Sequence, residues 1–439
     1  MIDFMKKKLF TSVLAAGLML SMAIGGAACS SDSNSNEVDS QGNTIVNIMF
    51  HVDAKSAEGV AYQKRVDSFN REYSEQKIKA VARFEARSAG STDYATKLSA
   101  MKVEGTLPDI ITFDAPNCAS YAAANILRDI SSDIPADTQS QFYSLNTYNG
   151  KLYGLPIQES SAGFYYNTEI FAAAGIDVSA YTIDNPWTYA EFKDVCQKLK
   201  DYNNTLIPVV MNYSATTDET ATYLLYPFIY ASGGSFVSAD GYTATGYMDS
   251  DATYNGFSFL KSLYSEGYTD YSVDKNTFFS QKAGMFLSSG WTIPELENQY
   301  KDVKFGILPY PKDVTAASAT GSWSYGITNN GKTDVSAAKE LIMYMASAES
   351  SKAITDTTGM IPARKDVETN YAEGSPKDVL LKQLAKTGKE RPVTVGYPDF
   401  STRFRNVIFQ MKENDLHTVL SAATDNLQTD LDRTKKLYQ

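Results

Sequence analysis

The chain has 439 residues, 43% of them apolar and 21% charged, with a formal net charge of −11. That length exceeds what one hydrophobic core usually supports, so two or more cores are expected, and the composition excludes a disordered or membrane-embedded chain. The acidic balance excludes nucleic acid and anionic lipid surfaces as partners. Aromatic usage is skewed, with 29 Tyr and 21 Phe against 3 Trp. Tyrosine offers a flat apolar face with a polar tip, which suits half-buried packing positions and also surfaces that hold polar, ring-shaped ligands.

The chain opens on an export signal over residues 1–28. Lys6-Lys7-Lys8 precede an apolar run from Leu9 to Ile24 and the small residues Gly25-Gly26-Ala27-Ala28, the order in which a signal peptide is built. The run falls short of a comfortable membrane span, which needs about 20 residues. The small-small-Cys junction at Cys29 resembles the lipobox of bacterial lipoproteins, with Gly26 where Leu is usual. That resemblance implies lipidation of Cys29, a plain secretory signal being the alternative. Residues 30–43, SSDSNSNEVDSQGN, read as a polar tether with no residue able to build a core.

The first body begins with a β-branched strand over Thr44 to Val52 and a helix over Ala57 to Tyr73, which sets Val60, Tyr62, Val66, Phe69 and Tyr73 at helical spacing. A strand at Ile78 to Phe84, a helix at Tyr94 to Val103, a strand at Leu107 to Phe113 and a helix at Tyr121 to Leu127 follow. This β-α-β-α-β rhythm predicts a mostly parallel sheet flanked by helices. Gly150 to Ile176 then leaves one α/β unit and enters another, through a strand ending at Pro156, a loose QESSAG segment, a strand at Phe164 to Tyr166 and a helix over Thr168 to Ala174 that Gly175 stops. The second unit alternates as well. Helices are predicted at Tyr189 to Tyr202, Ala221 to Ala231 and Asn255 to Glu266. Strands are predicted at Ile207 to Met211, near Phe279 to Leu287 before a turn at Ser288-Ser289-Gly290, and at Phe305 to Pro309. Helical patterns cover Val335 to Ala346, Lys377 to Thr387, Ser401 to Gln410 and Leu416 to Leu437, with a break at Gly359-Met360-Ile361-Pro362.

Catalytic chemistry is sparse. His51 and His417 are the only histidines, and a metal site or a triad is hard to build from two histidines in separate predicted lobes. Neither common Gly-rich phosphate loop is present, so the sequence shows no means of hydrolysing a nucleotide. The Gly321-Ser322-Trp323-Ser324-Tyr325-Gly326 run fails the spacing of a nucleophile elbow. A secreted glycosidase, which needs two carboxylates flanking a sugar bond, is the enzyme alternative. Cys118 and Cys196 fall in different predicted lobes, where a disulfide is possible but not expected, and no cysteine pair has metal or redox spacing.

Several blocks, in order, resemble the family 1 extracellular solute-binding proteins, the maltose-binding-protein-like sugar receptors of bacterial ABC importers. They are GKLYGLP at Gly150 to Pro156, Tyr165-Tyr166-Asn167, the F-x-x-AGI element ending at Ile176, and Trp187 to Phe192. Pro108-Asp109-Ile110 with Leu127 to Ile130, Lys282 to Met285 with Gly290-Trp291, Val303 to Pro311, Gly321 to Ile327, Ala337 to Ala346, and Gly359 to Arg364 extend the match over most of the mature chain. The resemblance implies an α/β, two-lobed, periplasmic-binding-protein-like fold of class II, each lobe a mostly parallel sheet flanked by helices. It implies three hinge crossings, near Gln158 to Ser161, near Pro311 to Gly321 and just after Gly359 to Arg364. The lobes would then be 44–158 with 315–364, and 159–314 with 365–439.

In that family a sugar lies between the lobes, its C–H face on aromatic rings and its hydroxyls on short polar side chains. Carried over by position, Trp291 is the stacking residue, with a core tryptophan as the alternative. Tyr223 matches a cleft aromatic, and Glu159 or Ser160 a polar contact at the crossover. Phe113 and Asp114 follow the third strand at its carboxyl end, where open α/β sheets place ligand groups. Asp53 stands likewise after the first strand, and for both aspartates helix capping is the alternative. Trp323 would be a second platform, and Tyr397, Asp399 and Arg403 would close the cleft from the second lobe. The implied partners are a mono- to oligosaccharide, separate permease and ATPase subunits, and the membrane through the lipid on Cys29. The protein would be a monomer without cofactor or metal. A glycerol-phosphate receptor of the same family is the alternative, with Arg364, Arg403 or Arg405 as the phosphate's partner.

Overall fold

The structure, a computed structural model, describes residues 37–87, 92–213 and 219–438. The export signal, Cys29 and the first part of the tether lie outside the described residues. Among the described residues no helix is long and apolar enough to cross a membrane.

The strands, in chain order, are β1 Thr44–Phe50, β2 Ile78–Phe84, β3 Ile110–Asp114, β4 Asn146–Tyr148, β5 Lys151–Pro156, β6 Gln158–Glu159, β7 Ala162–Asn167, β8 Ile207–Val210, β9 Ala283–Ser289, β10 Phe305–Leu308, β11 Ser318–Ala319, β12 Trp323–Ile327, β13 Ile361–Pro362 and β14 Gly388–Lys389. Six form one sheet in the order β2-β1-β3-β12-β5-β4, and four form a second in the order β10-β7-β9-β8. Each sheet has its own core. Ile48, Phe50, Phe69, Ile110, Tyr325 and Leu341 pack on the first, and Phe164, Trp187, Phe192, Leu224, Phe228 and Phe404 on the second. These two, with a further cluster around Tyr165, Val210, Phe286 and Leu380 on the second sheet, meet the two or more cores that the length required.

Parallel pairing holds where a helix carries the chain back to the same edge, as in β2-β1-β3 and β8-β9. Strands that cross between lobes arrive from the other end, so β12 runs antiparallel to β3 and β5, and β7 antiparallel to β9 and β10. The sheets are therefore mixed rather than mostly parallel. The crossings run through β6 between β5 and β7, through residues 309–322 between β10 and β12, and through β13 into the helix Pro376–Thr387. The register Ile361↔Glu159 ties β13 to β6, and β11 pairs with β14 in parallel.

Local chemistry explains most helix starts. Ser56 caps Ala57–Glu72 by accepting from the Gly59 amide, a contact whose loss typically costs about 1 kcal/mol. That helix buries Tyr62, Val66 and Phe69, while Val60, expected inward, is 40% exposed. Thr188 and Glu191 form a capping box at Tyr189–Tyr202, which buries Phe192, Val195, Cys196 and Leu199 along one face.

Other boundaries moved. The helix expected to reach Leu127 runs Cys118–Ala123, because Asn125 takes φ 54° and turns the chain. Ser250 caps a helix that begins at Asp251 instead of Asn255, and Tyr397–Gln410 starts ahead of Ser401 with Pro398 in its first turn. Ser288 and Ser289 belong to β9 rather than to a turn. The helix Ala348–Thr358, absent from the sequence reading, ends at Gly359 with φ 77°; a Cβ there would also lie 2.6 Å from Pro294 Cδ. Cys118 and Cys196 are both free and buried, one in each core.

Candidate ligand-binding cleft

A cleft of about 940 Å³ opens between the two sheets. Its first wall comes from the carboxyl ends of β1 and β3 and the start of β12, which deliver His51, Asp53, Asp114 and Trp323. The Trp323 ring stacks on His51 at 3.3 Å with an interplanar angle of 0°, meets Tyr94 edge-on at 5.8 Å, and carries the Arg87 guanidinium at 5.1 Å. His51 is fixed in turn by Thr112, whose Oγ1 lies 3.0 Å from Nδ1. Burial, with Arg87 nearby, holds the imidazole well below its usual range, so this stack is uncharged on the histidine side. Beside it, burial pushes the Glu58 carboxyl up, against the Tyr62 hydroxyl, Arg87 and the Gln158 amide that favour its charge.

The second wall is built on the end of β9 and on the helix Glu219–Ala231. Trp291 sits in the turn Gly290–Thr292, is 42% exposed, and leans on Tyr223 at 5.7 Å and 47°. Tyr223 is pinned by its hydroxyl, which donates to the Ser160 carbonyl at 2.5 Å. Arg391 crosses from this wall to the first. Its guanidinium donates to both Asp114 carboxylate oxygens, at 3.0 and 2.8 Å, and to Glu219 Oε1 at 2.9 Å. Glu219 is itself held by the Tyr397 hydroxyl, by Ser401 Oγ at 2.6 Å, and by Arg405 at 3.5 Å. A guanidinium shared by carboxylates from both lobes is the geometry in which arginine outperforms lysine.

The hinge closes the bottom. Glu159 is 1% exposed and accepts from Ser144 Oγ at 2.7 Å, Thr320 Oγ1 at 3.0 Å and the Gly321 amide at 2.9 Å. Burial pushes its carboxyl up, and those donors oppose the shift. Ser160 donates to the Gly321 carbonyl, tying two crossings together.

Of the residues singled out from sequence, Trp291, Asp114, Asp53, Ser160, Tyr223 and Trp323 line the cleft. Asp114 does not cap the following turn; it pairs with Arg391. Asp53 accepts from the Lys55 amide at 2.7 Å, while Ser56 does the capping. The others sit elsewhere. Phe113 is fully buried, its side chain pointing to the opposite face of β3 from Asp114 and pressed against the backbone at Gly154 and Gly326. Glu159 clamps the hinge, and Tyr397 is buried one layer behind Glu219. Asp399 pairs with Arg433 and Arg403 with Asp430, on the side of their helix away from Glu219. Arg364 is taken by Asp366 at 2.6 Å.

Sequence reasoning missed Arg391, Glu219, His51 and Gln158. Glu219 carried a signal, since it is the sole charge in ETATYLLYPFIYA, an otherwise uncharged helix. Arg391 carried none, as it lies in a short irregular stretch before Pro392. Among the described residues no group of three or more His, Cys, Asp or Glu could hold a metal ion.

A family model for bacterial extracellular solute-binding proteins matches residues 64–383. A protein of Brucella abortus (strain 2308), named as a binding protein, is 24% identical over 278 residues, which are 59% of this chain and 62% of that protein. The chain thus spans 62% of the length of the first curated relatives it matches. The diacetylchitobiose binding protein DasA of Streptomyces coelicolor is 22% identical over 406 residues, 89% of each chain. Among solved structures, the cyclic alpha-maltosyl-1,6-maltose binding protein from Arthrobacter globiformis superposes with a TM-score of 0.76 at 22% identity, covering 89% of this chain and 100% of that one. At such identity the structural likeness speaks for the fold: two lobes with a cleft between them.

Proposed function

The chain belongs to the bacterial extracellular solute-binding proteins, and from that membership we propose that it captures a mono- to oligosaccharide between its lobes and delivers it to the permease of an ABC importer. The observation that carries the carbohydrate reading is Trp291, an indole with free area on the second wall, set across from the buried Trp323 floor in a cleft that carries Asp53, Ser56, Asp114, Gln158 and Ser322 among its lining residues. A pyranose has an apolar C–H face for an aromatic plate and a rim of hydroxyls for Asp, Gln and Ser acceptors. A ligand touching both walls favours the closed arrangement by its differential contacts. Work of this kind is extracytoplasmic, and we assign the attachment to lipid on Cys29. The tether expected over 30–43 is shorter than that, since from Glu37 on the chain turns back onto β1, Val38 bridging Thr44 and the Ile45 amide donating to the Glu37 carbonyl. Cys29→Ser should then release the protein into the medium, and continued membrane retention would contradict lipidation.

The charges in the cleft weigh against a phosphate ester. Asp53, Glu58, Asp114, Glu219 and Glu295 face it against Arg87 and Arg391, and Arg391 is already committed to two carboxylates. The arginines considered for a phosphate, Arg364, Arg403 and Arg405, are engaged with Asp366, Asp430 and Glu219. Hydrolysis forms no part of the proposal. A thermal-shift screen of the mature chain against neutral saccharides and phosphate esters tests it. A cognate saccharide at a hundredfold excess over its Kd adds about 2.7 kcal/mol of stability. A shift with glycerol phosphates and none with neutral sugars would reverse the reading.

A further inference from the structure

The two walls of the cleft differ in what they leave open to a ligand. On the first, the Trp323 ring has His51 stacked against it and the Arg87 guanidinium over it, so recognition there falls to polar groups. Glu58 and Arg87 both line the cleft beside this stack. We propose that they act as a pair on two neighbouring hydroxyls of one sugar ring, Glu58 accepting from the first and Arg87 donating to the second. The inference rests on the carbohydrate reading above.

Glu58 stands in the first turn of the helix Ala57–Glu72. Its Oε1 accepts from the Tyr62 hydroxyl at 2.5 Å and from the Gln158 amide at 3.2 Å, and lies 4.0 Å from His51 Nε2. Tyr62, His51 and Gln158 are all buried, and Gln158 accepts in turn from Thr358 Oγ1 at 3.0 Å. The carboxylate is therefore oriented before any ligand arrives. Its Oε2 has no hydrogen-bond partner among the described residues, and the side chain, 24% exposed, lines the cleft. The other carboxylates of this wall are less suited. Asp114 gives both oxygens to Arg391, and Asp53 stands exposed and accepts from the Lys55 amide. Arg87 supplies the opposite polarity. It is near enough for its charge to favour the ionised Glu58 carboxyl, yet among the described residues its guanidinium makes no hydrogen bond or ion pair, with Glu58 or with any other group. An acceptor and a set of unspent donors, adjacent but not joined, fit a vicinal diol, each of whose hydroxyls both donates and accepts. They fit an anionic group poorly, because a carboxylate or phosphate drawn to Arg87 would face the charge on Glu58.

The test is calorimetry on the mature wild-type chain, Glu58→Gln and Arg87→Gln with a panel of neutral mono- to tetrasaccharides, followed by the monodeoxy and deoxyfluoro analogues of the tightest binder. Removing a hydroxyl that bonds a charged side chain should weaken wild-type binding about tenfold, at two adjacent ring carbons. Fluorine accepts but does not donate, so it should restore part of the affinity at the carbon facing Arg87 and none at the carbon facing Glu58. Each variant should bind the parent sugar about tenfold more weakly and lose most of its sensitivity to deoxygenation at its own carbon alone. Glu58→Gln keeps an acceptor for Tyr62; if that variant nevertheless fails to fold, the exposed Arg87→Gln and the analogue series on wild type still decide. Wild-type affinity in both variants, or deoxygenation penalties at no adjacent pair of carbons, would overturn the pairing and leave the carbohydrate reading standing. Tighter binding of glucuronate than of glucose that depends on Arg87 would overturn it too, by making Arg87 an anion site. If wild type binds no neutral saccharide, the carbohydrate reading falls and the pairing falls with it.

Discussion

Trp323 and Trp291 face the same cleft and are held in opposite ways. Trp323 is 9% exposed, with His51 stacked on one face and the Arg87 guanidinium over the ring. Trp291 is 42% exposed and touches one other ring, Tyr223, at a tilt. Strand β12 locks the first indole into the sheet through its pairing with β3, Trp323 opposite Asp114. The second stands in a turn after β9, outside any ladder. One wall is thus a preformed floor whose aromatic is part of the lobe's core, and the other offers an aromatic plate with free area. A residue type common to a core and to a binding site is told apart here by which neighbours already cover its faces.

That contrast separates the two residues in stability. Trp323→Ala should destabilise the fold by about 3–5 kcal/mol, the usual penalty for emptying a buried aromatic site, while Trp291→Ala should stay within about 0.5 kcal/mol, as for an exposed position. Urea unfolding of both variants against wild type measures the difference, and equal losses would show that Trp291 is core after all.

His51, beneath the floor, gives a smaller effect with a definite sign. Its folded-state pKa lies well below its usual value because of burial first and Arg87 second. Between that lowered value and about 6.5 the unfolded chain binds the proton and the folded chain does not, so this group's contribution to stability is lost as pH falls, by up to about 1.4 kcal/mol per unit. Glu58 and Glu159 have raised folded pKa values, from burial, and slope the other way: their contribution falls as pH rises through them. His51→Asn should therefore flatten the acid side of the stability profile. An unchanged slope below pH about 6 would mean the imidazole is not held neutral.

Much of this arrangement was legible from sequence. The alternation of apolar strands and capped helices announced two α/β units, and the blocks around Gly150 to Asn167 marked where the chain changes lobes. Local patterns could not give strand direction, since the antiparallel course of β12 follows from its return across the hinge rather than from its residues. Within the site, residues adjacent to strand ends were found when their side chains alternate toward the cleft, as Asp114 does, and misplaced when they alternate away, as Phe113 does. In the helix Tyr397–Gln410 the spacing held usable information. Tyr397, Ser401 and Arg405 recur every four residues and reach Glu219, whereas Asp399 and Arg403 lie on another face. Arg391 depends on contacts with Asp114 and Glu219, far away in the chain, and no local pattern points to it.

The most direct measurement is calorimetric titration of wild type, Trp291→Phe and Trp291→Ala with a neutral saccharide found by the thermal screen. Stacking of a sugar face on the second wall requires Trp291→Ala to weaken binding by roughly 1–3 kcal/mol at unchanged fold stability, with Trp291→Phe between the two. An unchanged affinity in Trp291→Ala would contradict it and remove the exposed indole from the ligand's path.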